Sequence, residues 1–137
     1  MLKLSENQKN QIISKIKELL HDEEKVIFAY LYGSFIEDEF SNDIDIAVYS
    51  SEIDSIFSFQ ADLKIKISDQ IRNLGFDISP DEIDLRVINN VDYDFLIEVL
   101  DKGVLIVDKD SELRAQFIEK VSLSYRINQI VLTEFYR

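Results

Sequence analysis

The sequence predicts an α+β fold, in which a small mixed β-sheet is backed by helices on one side and a long helix ends the chain. Short β-branched and aromatic segments alternate with longer segments whose apolar residues recur at helical spacing. The length of 137 residues suits one domain, and 46% hydrophobic with 31% charged residues is typical of a folded core. We therefore expect residues 1–137 to form a single domain.

The first helix and the first strand are predicted by a cap and by a change of pattern. Ser5 and Gln8 fit a capping box, and a helix is predicted over residues 5–21 because apolar residues follow at helical spacing. A buried strand is predicted over Val26–Tyr32, which is β-branched and aromatic and stops at Gly33.

The middle of the chain predicts a turn, a strand and a long helix. A short helical turn is expected over Phe35–Glu39, followed by a strand over Asp43–Tyr49. Apolar residues at helical spacing then predict a helix over Ile53–Leu74, and Gly75 supplies its C-terminal cap.

The last third of the chain predicts two more strands and two more helices. A strand is predicted over residues 82–88, since polar and apolar residues alternate strictly from Ile83 to Ile88. A short helix over Phe95–Leu100 and an edge strand over Val104–Val107 follow. Leu113–Phe135 has helical spacing and predicts the long C-terminal helix.

The charge and the absence of cysteine exclude several function classes. Fifteen Lys and Arg face 27 Asp and Glu, for a net charge of −12, so a nucleic-acid backbone is not expected as a direct partner. Such a surface suits a basic protein partner, or serves only solubility. Disulfides and thiol catalysis are excluded, because there is no Cys. No membrane span or signal peptide is recognisable, which predicts a cytoplasmic protein without a membrane partner.

A phosphate-binding turn is predicted at Gly33 and Ser34. Gly33 ends a buried strand, where the missing side chain lets the backbone approach a ligand closely. Ser34 opens the short helical turn, and backbone N–H groups with a hydroxyl form a phosphate cradle. These two residues are our candidate nucleotide-binding residues.

Three carboxylates form a candidate metal and catalytic site. Asp43 and Asp45 are two residues apart on a strand, so they share one face while Ile44 turns into the core. Two like charges about 7 Å apart are costly unless a cation lies between them, and Mg²⁺ prefers carboxylate and phosphate oxygens. Asp84, on another strand, would complete a two-metal site for phosphoryl or nucleotidyl transfer. A solvated acidic strand face is the alternative for the first pair, and Asp81 or Glu82 competes with Asp84.

The order Gly33-Ser34, Asp43-Ile44-Asp45 and a later strand Asp84 resembles the minimal nucleotidyltransferase (MNT) domain of the polymerase-β superfamily. The resemblance covers nearly the whole chain and implies a polymerase-β-like nucleotidyltransferase fold. The segment from Ile83 to Tyr125 is similar to the MntA-type antitoxins, each paired with a HEPN ribonuclease toxin. That resemblance implies Mg²⁺-dependent transfer of AMP from ATP to a tyrosine of the toxin.

Carried over onto this chain, the resemblance implies that Gly33 and Ser34 hold the triphosphate of ATP. Asp43, Asp45 and Asp84 would bind the metals, and Asp84 would also help to activate the nucleophile. The sequence departs from the family at residues 36–38, which read Ile-Glu-Asp instead of Ala-Arg-Gly, and in a shorter segment before Asp43. An antitoxin that neutralises its toxin by binding alone is therefore the second hypothesis. A small-molecule transferase is the third, and it usually needs an added substrate domain.

Several other residues have ordinary structural explanations. His21, the single histidine, follows a helix among acidic residues and is expected at an exposed helix end. Arg86 shares a strand face with Asp84, where a salt bridge is the commoner explanation and a phosphate contact the alternative. The aromatic residues of the last helix are expected in the core, and the length of this helix suggests that part of its apolar face meets a partner; they are Phe117, Tyr125, Phe135 and Tyr136.

Overall fold

The part of the chain that the structure describes contains six strands and five helices. The structure was obtained as a computed structural model that describes residues 2–38, 40–41 and 43–135. The strands are β1 (Leu2–Lys3), β2 (Val26–Tyr32), β3 (Phe40–Ser41), β4 (Ile44–Ser50), β5 (Ile83–Val87) and β6 (Val104–Asp108). The helices are α1 (Glu6–Asp22), α2 (Ser34–Glu37), α3 (Ile56–Asn73), α4 (Tyr93–Lys102) and α5 (Ser111–Phe135), with a 3₁₀ turn at Pro80–Glu82.

The main sheet is mixed and has the strand order β5-β4-β2-β6. Strand β2 pairs antiparallel with both β4 and β6, whereas β4 and β5 run parallel. The predicted α+β fold with a mixed sheet, an edge strand near Val104 and a long last helix is confirmed. The α3 helix connects the parallel pair, as a crossover between parallel strands requires.

Helices cover both faces of this sheet, which corrects the expectation of helices on one side. On one face, α1 and α3 pack on Leu31, Ile46 and Leu85, each at most 1% exposed. On the other face, α4 and α5 pack on Phe28 and Ala47, which are fully buried. The middle strands are therefore apolar on both faces. The sequence of β2 already shows this, because its residues are apolar without alternation.

The helix caps largely agree with the sequence. Ser5 and Gln8 form the predicted capping box, with the Ser5 hydroxyl accepting from the Gln8 amide at 3.1 Å. Gly75 has φ +100°, and its amide donates to the carbonyl of Arg72 at 2.9 Å, which ends α3 as a Schellman motif. Helix α3 begins three residues later than predicted, because the Ser55 hydroxyl caps it by accepting from the amide of Ser58.

Two features at the ends of the chain complete the fold. The antiparallel pair of β1 and β3 is a two-stranded ladder that the sequence did not predict, because two residues are too short to show a period. In α5, Phe117 is buried as expected and Tyr125 is half-buried, while the side chain of Phe135 and residue Tyr136 lie outside the described part. Among the described residues, none of the helices has both the length and the apolar character needed to cross a bilayer.

Candidate active site

A row of polar side chains crosses three neighbouring strands of the sheet. Tyr32 of β2 lies opposite Asp45 of β4, and Asp45 lies opposite Asp84 of β5. Residues on either side of Asp45 and of Asp84 are buried against α1 and α3. Because side chains alternate along a strand, the two carboxylates must point to the opposite face, where α4 packs. The predicted placement of Asp84 beside the Asp-x-Asp segment is thus what the strand register produces.

The charged state of Asp45 is disfavoured by its surroundings. Burial, followed by the charges of Asp84 and then Asp43, raises the pKa of Asp45 to about 6, and Arg86 only partly offsets this. Burial, followed by the charges of Asp84 and then Asp45, also raises the pKa of Tyr32. The row therefore holds more negative charge than the nearby cations neutralise. A bound cation would reduce this repulsion.

Arg86 and Phe95 enclose this row from the side of β5 and α4. The Nε of Arg86 lies 3.7 Å from Oδ1 of Asp84, which is the salt bridge that the sequence favours for this arginine. Its guanidinium also lies 5.0 Å from the ring centroid of Phe95, and that ring stands edge-on to Tyr32 at 5.6 Å. These contacts hold the open end of the sheet against α4.

The turn at Gly33 brings the start of α2 against Asp45. Gly33 has φ +78°, a left-handed conformation that favours glycine, and a Cβ at this position would collide with Oδ2 of Asp45. Its carbonyl accepts from the amides of Ile36 and Glu37, both at 3.1 Å, and so starts the helical turn at Ser34. The short helix ends at Glu37, whereas the sequence prediction extended to Glu39, which lies outside the described residues.

Two contacts fix α2 in its place. The Phe35 ring is fully buried in the core on the α1 and α3 face of the sheet. The Nζ of Lys9 donates to the carbonyl of Asp38 at 2.6 Å and lies 5.6 Å from the Phe35 ring centroid. The backbone of Gly33 and Ser34 is therefore held beside the carboxylates by contacts with α1.

Asp43 stands apart from the other two carboxylates. It is exposed and directly precedes β4, so it does not lie within the strand as predicted. Within residues 2–38, 40–41 and 43–135, no three or more His, Asp or Glu side chains are gathered closely enough to hold a metal ion. The donor chemistry still fits Mg²⁺, since Asp45 and Asp84 offer only carboxylate oxygens and the charge of Asp43 reaches Asp45.

The acids that compete with Asp84 are placed elsewhere. Glu82 belongs to the 3₁₀ turn, where its Oε1 accepts from the amide of Ser79 at 3.1 Å and from the Ser79 hydroxyl at 3.2 Å. Asp81 lies exposed in the same turn, before β5 begins. His21 is exposed at the end of α1, as expected. Asp84 is therefore the acid that this region places in the row with Asp45.

The match to known families agrees with this geometry. The family model of polymerase beta nucleotidyltransferases matches residues 14–112, a stretch that includes the Gly33 turn and all three candidate acids. The chain belongs to this nucleotidyltransferase family. No curated protein matches the chain.

Solved structures share the fold of this nucleotidyltransferase. A chain in the complex of tri-AMPylated Shewanella oneidensis HEPN toxin with MNT antitoxin superposes with a TM-score of 0.65 at 20% identity, over 94% of this chain and 99% of that one. A chain of a toxin-antitoxin complex with AMP-PNP gives 0.64 at 20% identity, over 91% and 98% of the two chains. The toxin-antitoxin MntA-HepT gives 0.59 at 18% identity, over 97% and 100%. At these identities the likeness concerns the fold.

A small cavity of about 200 Å³ adjoins the row of carboxylates in this nucleotidyltransferase. It lies between α2 and α4, and its lining includes residues that the sequence did not single out: Phe95, Glu98, Val99 and Lys102. Only the folded sheet brings α4 next to the Gly33 turn, so no local pattern in the sequence could have revealed this wall. Tyr32 ends the predicted strand Val26–Tyr32, but its contact with Phe95 and its pairing with Asp45 are seen only in the folded structure.

Proposed function

We propose that this chain is a Mg²⁺-dependent protein adenylyltransferase that transfers AMP from ATP to a tyrosine of a HEPN-type ribonuclease toxin and so acts as its antitoxin. The observation that carries the proposal is the pairing of Asp45 with Asp84 directly beside the Gly33 turn. Carboxylates next to a phosphate-binding turn are the arrangement that nucleotidyl transfer requires. A cytoplasmic location stays a prediction, as does the single domain over residues 1–137.

Solved structures with the same fold support a HEPN toxin as the acceptor and ATP as the nucleotide. One of them contains a tri-AMPylated HEPN toxin in complex with MNT antitoxin, and another contains AMP-PNP. Both cover more than nine-tenths of this chain. At this coverage the shared fold includes at least part of α5, so the support does not depend on the motif residues alone.

The proposed roles follow from the position of each residue. Gly33 and Ser34 would bind the triphosphate through the backbone at the start of α2, and Asp43, Asp45 and Asp84 would hold Mg²⁺. The bound ion supplies charge neutralisation for the phosphate oxygens. For Asp43 this role requires that its side chain, exposed before β4, move toward the pair.

The transfer itself is a substitution at the α-phosphorus of ATP. The phenolic oxygen of the acceptor tyrosine forms a bond to this phosphorus, the bond between phosphorus and the bridging oxygen to the β-phosphate breaks, and pyrophosphate leaves. The phenolic proton passes to the carboxylate of Asp84, which acts as general base because a tyrosine hydroxyl has a pKa of about 10 and is weakly acidic. Arg86, paired with Asp84, holds this carboxylate in position.

A mass measurement tests the proposal. The purified protein, with ATP and Mg²⁺, should add one or more AMP units of about 329 Da each to a tyrosine of the co-encoded HEPN toxin. Loss of ribonuclease activity should follow the mass shift, and Asp84→Asn should block both. Asp81→Asn is the matched control, because Asp81 lies exposed outside the row and its variant should transfer AMP at the wild-type rate.

Two observations favour the second candidate, an antitoxin that acts by binding alone. The three acids are not gathered in the described structure, and Arg86 already engages Asp84. If the toxin is silenced by the wild-type protein without any mass change, and equally by Asp84→Asn, then binding is the mechanism and the adenylyltransferase assignment is wrong.

A further inference from the structure

We propose that the cavity between α2 and α4 receives the ring of the acceptor tyrosine and selects a tyrosine with basic neighbours. This inference rests on the proposed function, since it names the acceptor side of the same site. It starts from the position of the cavity, whose wall includes Gly33, the residue at which an added Cβ would collide with Asp45. A ring seated here would present its hydroxyl toward the carboxylates.

The size and the walls of the cavity fit one aromatic side chain. A volume of about 200 Å³ is below the roughly 300–1,000 Å³ of sites that enclose drug-sized ligands, and so suits a single ring rather than a whole nucleotide. Tyr32 and Phe95 form one wall, with their planes at 80°, and the buried Val99 lies at the base. An incoming phenol ring would extend this edge-to-face pair, an arrangement that aromatic rings prefer.

The charges of the rim argue against phosphate and for a basic acceptor. Glu37 and Glu98 are both exposed at the cavity, and neither is ion-paired in the part of the chain that the structure describes. Lys102 is the cation among the lining residues, so the rim carries one net negative charge. Inside the cavity two carboxylates would repel a triphosphate, which the proposed function places at the backbone of Gly33 and Ser34 instead. Arginine or lysine residues beside an acceptor tyrosine would be attracted.

Binding of two peptides tests this assignment without requiring transfer. Each peptide carries one tyrosine, flanked by arginines in the first and by glutamates in the second. Titrated into the Asp84→Asn protein, the first peptide should shift the backbone NMR signals of Gly33, Phe95 and Val99. The second should bind at least tenfold more weakly. Replacing tyrosine by phenylalanine in the first peptide should preserve the shifts, since the ring is what the cavity holds.

A charge variant on α4 separates acceptor binding from ATP binding. Glu98→Gln should weaken the arginine-flanked peptide several-fold, and should raise KM for the toxin in the transfer assay while KM for ATP is unchanged. Asp101→Asn is the matched control, because Asp101 lies exposed on the same helix and does not line the cavity.

Three results would overturn the inference, and they differ from failure of the proposed function. Equal affinity for both peptides, or shifts outside the cavity, would show that this wall does not read the acceptor. A change in KM for ATP alone on Glu98→Gln would show that the cavity takes the adenine ring instead. Absence of AMP transfer to any toxin would disprove the adenylyltransferase assignment, while the peptide titration would still decide what the cavity binds.

Discussion

At the scale of single residues, Asp45 carries an unfavourable charge in the metal-free protein, since its pKa is raised to about 6 by burial, Asp84 and Asp43. We expect Asp45→Asn to raise the free energy of unfolding by about 1 kcal/mol at pH 7. One pKa unit corresponds to about 1.4 kcal/mol, and solvent screening at this half-buried site reduces the full effect. Urea denaturation in the presence of a chelator measures the change.

Asp43→Asn is the comparison for this variant. Asp43 is exposed before β4, so its replacement should leave the free energy of unfolding within about 0.5 kcal/mol of the wild type. Both variants should lose AMP transfer, and Mg²⁺ should raise the melting temperature of the wild type more than that of either variant. A destabilised Asp45→Asn protein would mean that the carboxylate makes a favourable contact in the absence of metal.

The two glycines with positive φ allow a second residue-level prediction. At Gly33 an added Cβ would strain the backbone and collide with Asp45, whereas at Gly75 nothing lies within 4 Å of the added atom. Each alanine variant should lose about 1–3 kcal/mol of stability from backbone strain. Only Gly33→Ala should also lose AMP transfer, measured below the melting temperature of both variants. Wild-type transfer by Gly33→Ala would remove this turn from the site.

The candidate site was predictable where its residues share a strand pattern. Ile44 and Ile83 are buried, so alternation directs the neighbouring Asp45 and Asp84 away from that core, and the parallel register of β4 and β5 places them side by side. Their catalytic roles stay predictions. Phe95 and the rest of the cavity wall were not predictable, because they reach the site from α4 through contacts that are distant in sequence.

At the scale of elements, α5 divides into a packed half and an exposed half. Phe117 is 9% exposed and lies 5.0 Å from the ring of Tyr49, whereas Ile127 and Ile130 are 52% and 63% exposed. Phe117→Ala should therefore cost about 3–5 kcal/mol in the free energy of unfolding. Ile127→Ala and Ile130→Ala should each stay within about 0.5 kcal/mol of the wild type.

Chemical denaturation of the three variants checks this division. If Ile130→Ala were as destabilising as Phe117→Ala, the end of α5 would be packed against another surface, and the proposed division would be wrong. The double variant Ile127→Ala with Ile130→Ala serves as a control for helix formation, because alanine is a better helix former than isoleucine and the helical content should be retained.

The sequence predicted the helices but not that they cover both faces of the sheet. The run Val26–Tyr32 is apolar without alternation, which is typical of a strand buried on both sides. The period of α4 and α5 shows that each has an apolar face but not which side of the sheet it meets. The side that each helix meets depends on how the chain passes between the strands. This path is known only from the folded topology.

At the scale of the whole molecule, 27 acidic residues against 15 basic ones give a net charge of −12. The acidic rim at Glu37 and Glu98 extends this charge to the mouth of the proposed acceptor cavity. A partner must approach through this field, so electrostatic attraction or repulsion acts before any contact forms. A basic docking face on the toxin would make association fast and dependent on salt.

The rate of association with the toxin should therefore fall steeply as salt is added. Between about 0.01 and 0.15 M ionic strength the screening length drops from about 30 to about 8 Å, and we expect the association rate constant to fall at least about tenfold. The dissociation rate constant should change little, because the contacts of the docked complex are shielded from ions. Stopped-flow fluorescence at several salt concentrations measures both constants.

Replacing Glu37 and Glu98 together by glutamine should make the salt dependence shallower. The control is Asp94→Asn with Asp101→Asn, which removes the same amount of charge from α4 outside the cavity lining and should change the salt dependence less. An association rate that is independent of salt would mean that the toxin docks through an apolar face, and that the acidic surface serves only solubility.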